Sequence, residues 1–134
     1  MCVMRKSTIA LTAMALAALT ACSHLSPEAK KMAGRYYIPE VSEDEPLLDL
    51  RKDGHCTVTK VVPGVVRFSV EGRWNVRNDS LVARLLPDRL SVEGDSALVG
   101  NIPESMAFHI TKFNEVSLTI ERDGVNYTYH RRPN

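Results

Sequence analysis

The chain has 134 residues, with 17 Lys+Arg against 16 Asp+Glu and a net charge of +1. Its length excludes a TIM barrel or a two-domain dehydrogenase, and its charge balance excludes a generic nucleic-acid binder. A hydrophobic content of 44% excludes a disordered chain, and seven Gly with seven Pro exclude a collagen-like or low-complexity one.

Residues 1–21 read as an address, a signal-peptide helix lying outside the fold. Arg5 and Lys6 form a basic start, Ser7 to Thr20 is an apolar stretch rich in Ala and Leu, and small residues follow. The uncharged run is shorter than the roughly 20 residues a membrane span needs. Met4, closer to the basic pair, is an alternative start. Leu19-Thr20-Ala21-Cys22 resembles a bacterial lipobox. That resemblance implies diacylglyceryl transfer to the Cys22 thiol, cleavage before Cys22 and acylation of the new amine, with palmitate as the typical chain. Ordinary secretion with an incidental Cys22 is the alternative. Several chains, at about 0.8 kcal/mol per buried CH₂, make such anchoring effectively permanent. Removing residues 1–21, which hold Arg5 and Lys6 and no acid, leaves 113 residues with 15 bases and 16 acids, a net charge of −1. Ser23, not Asp, follows Cys22; by analogy with enterobacterial sorting this points to the outer membrane. The segment 22–32 lacks the acidic run linked to surface export in some Bacteroidota lipoproteins, so a periplasm-facing protein is expected, with surface exposure as the alternative.

Segment 22–32 reads as a lipidated tether, with one helical turn available at Pro27 to Met32. From residue 33 to 134 strand signals dominate. Gly34 to Ile38 opens the domain, and Leu47 to Arg51 precedes the turn Lys52-Asp53-Gly54. His55 to Val62 follows and ends at Pro63-Gly64. Val65 to Val76 is the clearest strand: Val66, Phe68, Val70, Trp74 and Val76 alternate with Arg67, Ser69, Glu71, Arg73 and Asn75. Gly72 falls on the apolar face and predicts a bulge or bend. Asn78-Asp79 turns the chain into Leu81 to Leu86, and Pro87-Asp88 turns it again into Leu90 to Glu93. Ala97 to Ile102, Met106 to Phe113, Val116 to Glu121 and Val125 to Arg131 complete the series, with Met106, Phe108, Ile110, Val116, Leu118 and Ile120 inward. The fold class is all-β: an antiparallel up-and-down meander of eight or nine strands, closed as a small barrel in preference to a sandwich.

The pattern resembles the small lipocalin-like (calycin-type) lipoproteins common in Bacteroidota. Gly34-Arg35-Tyr36 stands where that family opens with Gly-x-Trp, with Tyr in place of Trp. Leu48 to Cys56, Glu71 to Leu81, and Ile110 to Leu118 with Tyr127 to Arg132 carry the rest. The resemblance implies that Tyr36 packs with Arg131 or Arg132, as a cation–π contact, to close one barrel end. The alternative is that both arginines form a solvated tail.

Cys2 leaves with the signal and Cys22 is spent on lipid, so Cys56 has no internal partner and reads as a small buried hydrophobe. His24 lies in the tether, and His55, His109 and His130 fall on the wet phase of their strands, so no metal site is expected. Glu40, Glu43, Asp44 and Glu45 form an acidic loop whose simplest reading is solvation, with weak Ca²⁺ binding as the alternative. Asp79-Ser80 and Asp95-Ser96 resemble periplasmic O-glycosylation sites, making Ser80 and Ser96 acceptors; ordinary turn chemistry is the alternative. No catalytic motif or cofactor signature occurs.

An enzyme is therefore not expected, nor a nucleic-acid partner. The first reading is an anchored carrier whose barrel is lined by Phe68, Val70, Trp74, Leu85, Phe108, Leu118 and Tyr127 and holds a small apolar or amphipathic ligand. The second is an envelope interaction protein with a filled core, meeting a protein or polysaccharide through loops 39–46 and 87–103.

Overall fold

The computed structural model describes residues 25–132, so the signal helix, Cys22, His24 and the last two residues lie outside the described part. A short helix, α1 (Pro27–Met32), precedes eight strands. These are β1 (Gly34–Tyr37), β2 (Leu48–Leu50), β3 (His55–Val62), β4 (Val66–Arg77), β5 (Ser80–Gly94), β6 (Ser105–Phe113), β7 (Ser117–Arg122) and β8 (Val125–Arg132). Each strand pairs antiparallel with the next, and β8 returns to β1, closing the barrel. The all-β, up-and-down barrel read from the alternation is the architecture found.

Turn chemistry sets the registers. Asn78 and Asp79 (φ 51° and 62°) join β4 to β5, while Asp123 and Gly124 (φ 53° and 80°) join β7 to β8. Two consecutive positive φ values are what a tight hairpin demands, and Asn, Asp and Gly meet that demand at least cost. In the β6–β7 turn Asn114 Oδ1 accepts from the amides of Val116 and Ser117. Val116 is thereby held in the turn, 69% exposed, and not on the inward face expected of it.

Two expected elements are corrected. Pro87-Asp88 is not a turn: β5 runs unbroken from Ser80 to Gly94. Val70 pairs with Leu90 and Gly72 with Leu85, so four β5 residues bulge opposite Glu71 alone. Pro87 sits in that bulge, beyond the last β6 partner at Arg84, where its missing N–H breaks no ladder bond. Gly72 makes the crossing possible: a Cβ there would lie 2.2 Å from the carbonyl oxygen of Arg84. Ala97 to Ile102 is not a strand either. Asp95 caps Ala97 N–H (3.0 Å), and Ser96–Leu98 forms one 3₁₀ turn.

The compact unit also starts earlier than residue 33. Ser26 caps α1, its amide donates to Asn75 Oδ1 (3.0 Å) and its hydroxyl to the Val76 carbonyl (3.0 Å). Leu25, Ala29, Met32 and Ala33 are buried with Tyr36, Leu50, Cys56, Trp74, Val76, Leu81 and Leu118. This segment plugs one end of the barrel, the closed end.

Candidate functional site

The closed end is filled. Trp74 is 4% exposed and donates its indole N–H to the Arg51 carbonyl (2.9 Å), and Leu118 is wholly buried. Burial pushes the Tyr36 phenol up to about 12, against the opposing pull of Arg131, and its hydroxyl donates to the Met32 carbonyl. Tyr36 and Arg131 are direct partners across β1 and β8. The expected ring contacts are redistributed, however: Arg131 lies 5.2 Å from the Phe113 centroid, and Arg132 lies 4.1 Å from that of Tyr37. Arg131 also donates to the carbonyls of Lys31 (2.6 Å) and Ala33 (2.8 Å). These lie at and just past the end of α1, where orphan acceptors and the helix dipole favour a cation. Arg131 is therefore a latch holding α1 in the barrel, not a solvated tail.

The opposite end is hollow. A cavity of about 540 Å³ opens there, within the range of sites for small molecules. Of the expected lining residues, Phe68, Val70, Leu85, Phe108 and Tyr127 face it. Trp74 and Leu118 do not; they share the inward phase but lie deeper, in the packed core. Missing from the expected set were Val58, Lys60, Met106, Ile120, Arg122 and Tyr129. Register could have found the first two, since Val58 pairs with Val70 and Lys60 with Phe68 on the same face. Loop residues complete the mouth: Val41 before β2, and Val99, Asn101, Ile102 and Pro103 before β6.

The cavity is mostly apolar in its walls; its polar lining residues are Thr59, Lys60, Asn101, Arg122, Tyr127 and Tyr129, of which Lys60 and Arg122 carry charge. No Asp, Glu, His, Cys or Ser lines it, whereas Lys60 and Arg122 do. Arg122 stands 5.7 Å from the Phe108 ring centroid, and desolvation raises the pKa of the nearby Tyr129. No ion pair engages Lys60 or Arg122 among the described residues.

Other candidate residues lie apart from the cavity. His55, His109 and His130 are exposed, and no group of three or more His, Cys, Asp and Glu able to hold a metal occurs among the described residues. In the acidic loop Arg67 Nε bonds both Glu45 oxygens at 2.9 Å, drawing the carboxyl below its usual range, while Glu40, Glu43 and Asp44 stay exposed. Ser80 begins β5 and Ser96 lies in the exposed 3₁₀ turn. Cys56 is wholly buried, and burial pushes its thiol up to about 11.

A closed eight-stranded meander, plugged at one end and hollow at the other, is a lipocalin-like barrel. Among solved structures, a lipocalin-like protein from Bacteroides uniformis superposes with a TM-score of 0.52 at 16% sequence identity, covering 76% of this chain and 99% of that one. No protein-family model and no curated protein sequence matches the chain. The likeness is one of fold, and it agrees with the barrel derived from the residues.

Proposed function

We propose that the protein is a non-enzymatic carrier of a small amphipathic anion, anchored through lipid on Cys22 to the outer membrane and facing the periplasm. The observation that carries the binding reading is the cavity: about 540 Å³ of apolar space whose only charged lining residues are Lys60 and Arg122. An apolar body would fill the space between Phe68, Phe108 and Tyr127, and a carboxylate or similar head would take the two cations. The lipocalin-like fold supports this assignment at the level of architecture. No carboxylate or imidazole lines the cavity to act as a base for Thr59, Lys60, Tyr127 or Tyr129, which favours binding over chemistry.

The test is native mass spectrometry of protein extracted from its own envelope, followed by titration with oleate and oleyl alcohol. A defined added mass that leaves on denaturation, with oleate bound more tightly than the alcohol, is expected. Equal binding of both probes removes the anionic head from the proposal. A clean apo mass with no binding of either overturns the carrier reading and favours an envelope interaction protein. The anchor is tested separately: acyl label on the wild type and none on Cys22→Ala is the expected result.

A further inference from the structure

Cations high on β4 and β5 are matched by acids. Arg67 meets Glu45 and, at 3.8 Å, Glu93; Arg89 meets Glu71 at 3.9 Å. Nearer α1 the matching stops. Arg73 and Arg84 are direct cross-strand partners on the outer face, an arrangement that repels unless something anionic is shared. Arg77 lies further along the same face of β4. None of the three side chains has an ion pair or hydrogen-bond partner among the described residues, and all three residues are exposed. They border a shallow groove whose lining includes Val82, Ala107 and Leu25.

Leu25 is also where the described chain begins, pinned there by the two bonds from Ser26 to β4. Three peptide steps separate it from Cys22, a reach of at most about 11 Å. An acyl-bearing Cys22 would therefore hold the groove within about one Debye length of the lipid headgroups, where attraction is only partly screened.

We propose that this arginine face of β4, β5 and β6 docks on an anionic lipid surface, fixing the orientation of the barrel on its anchor. The distance argument rests on the Cys22 anchor proposed above; the unpaired arginines stand independently of it. Lipid phosphates have the charge and geometry that guanidinium forks bind in pairs. The cavity mouth, at the barrel end opposite α1, is then held away from the surface.

The test uses the full lipidated protein carrying a spin label at Ala107→Cys, in vesicles of phosphatidylcholine alone or with about one third phosphatidylglycerol. Accessibility to a water-soluble relaxation agent is the readout. A drop of about threefold or more is expected on the anionic vesicles only, reversed by high salt and by the triple variant Arg73→Gln/Arg77→Gln/Arg84→Gln, but kept in the outward control Arg35→Gln. Equal exposure on both vesicles, with the protein still floating with lipid, overturns the docking and leaves the anchor intact. Protection that appears only with an added acidic polysaccharide overturns the lipid assignment. Protein that carries no acyl group but floats with anionic vesicles through its arginines supports docking and removes the anchor; failure to float with either vesicle overturns both.

Discussion

The two ends of this barrel use the same alternating strands for opposite purposes. At the closed end, inward residues of β4, β5 and β7 meet α1, and Trp74, Leu118 and Leu81 lie in one packed cluster. At the mouth, residues of the same phase on the same strands, such as Phe68 and Leu85, border empty space. The difference arises from what covers each end. A helix seated by Ser26 and Arg131 supplies apolar side chains to one; loops with Val41 and Val99 rim the other and leave its centre open. Packed core and open cavity are thus segregated along the barrel axis.

The largest expected effect tests that segregation directly. Trp74→Ala should cost about 3–5 kcal/mol, as for a large aromatic removed from a packed core. Phe108→Ala, at the half-buried cavity wall, should cost clearly less and should weaken oleate binding instead. Urea unfolding and ligand titration of both variants check this; equal stability losses would collapse the distinction between the ends.

Next in size is the α1 latch. Arg131→Met removes three charge-assisted bonds to carbonyls, two of them to the end of α1 and a longer one to Glu115, and should cost about 2 kcal/mol. Hydrogen exchange should show α1 amides losing protection before those of β4. Ser26→Ala, which removes the cap of α1 and a bond to β4, should cost about 1 kcal/mol with the same local signature. If either variant loosens the whole barrel uniformly, the plug is not a separable unit.

The smallest effect belongs to the mouth. Arg67 depresses the Glu45 pKa, so the folded state binds the proton less readily than the unfolded chain. The stabilisation is present above the unfolded carboxyl value and is lost as pH falls through the lower folded value. Partial exposure limits it to less than about 1 kcal/mol. Thermal unfolding between neutral pH and about pH 3 should therefore show a slightly steeper acid loss in wild type than in Glu45→Gln.

Much of this architecture is legible in the residues, because alternation reports which side of a strand faces inward. The β4 pattern, the Asn78-Asp79 and Asp123-Gly124 turns, and buried Cys56 all follow from local chemistry. Alternation does not report depth along the barrel. Trp74 and Phe68 share a phase, yet one is core and the other cavity wall, since α1 fills only one end. Nor does it show that a strand can absorb Pro87. Pro-Asp has the composition of a turn, and only the partner strand, with Gly72 under the crossing, turns it into a bulge. Lys60 and Arg122 were hidden for a related reason: a charge near a strand end looks solvent-facing until register places it beside Phe68 or against Phe108.

Cys56 gives this barrel a clock. Its side chain is sealed in the closed end, and its raised pKa keeps it in the unreactive thiol form at neutral pH. A thiol reagent can reach it only when the plugged end opens. The rate of its labelling therefore times that opening, without any engineered cysteine, and distinguishes a ligand that props the mouth from one that tightens the whole molecule.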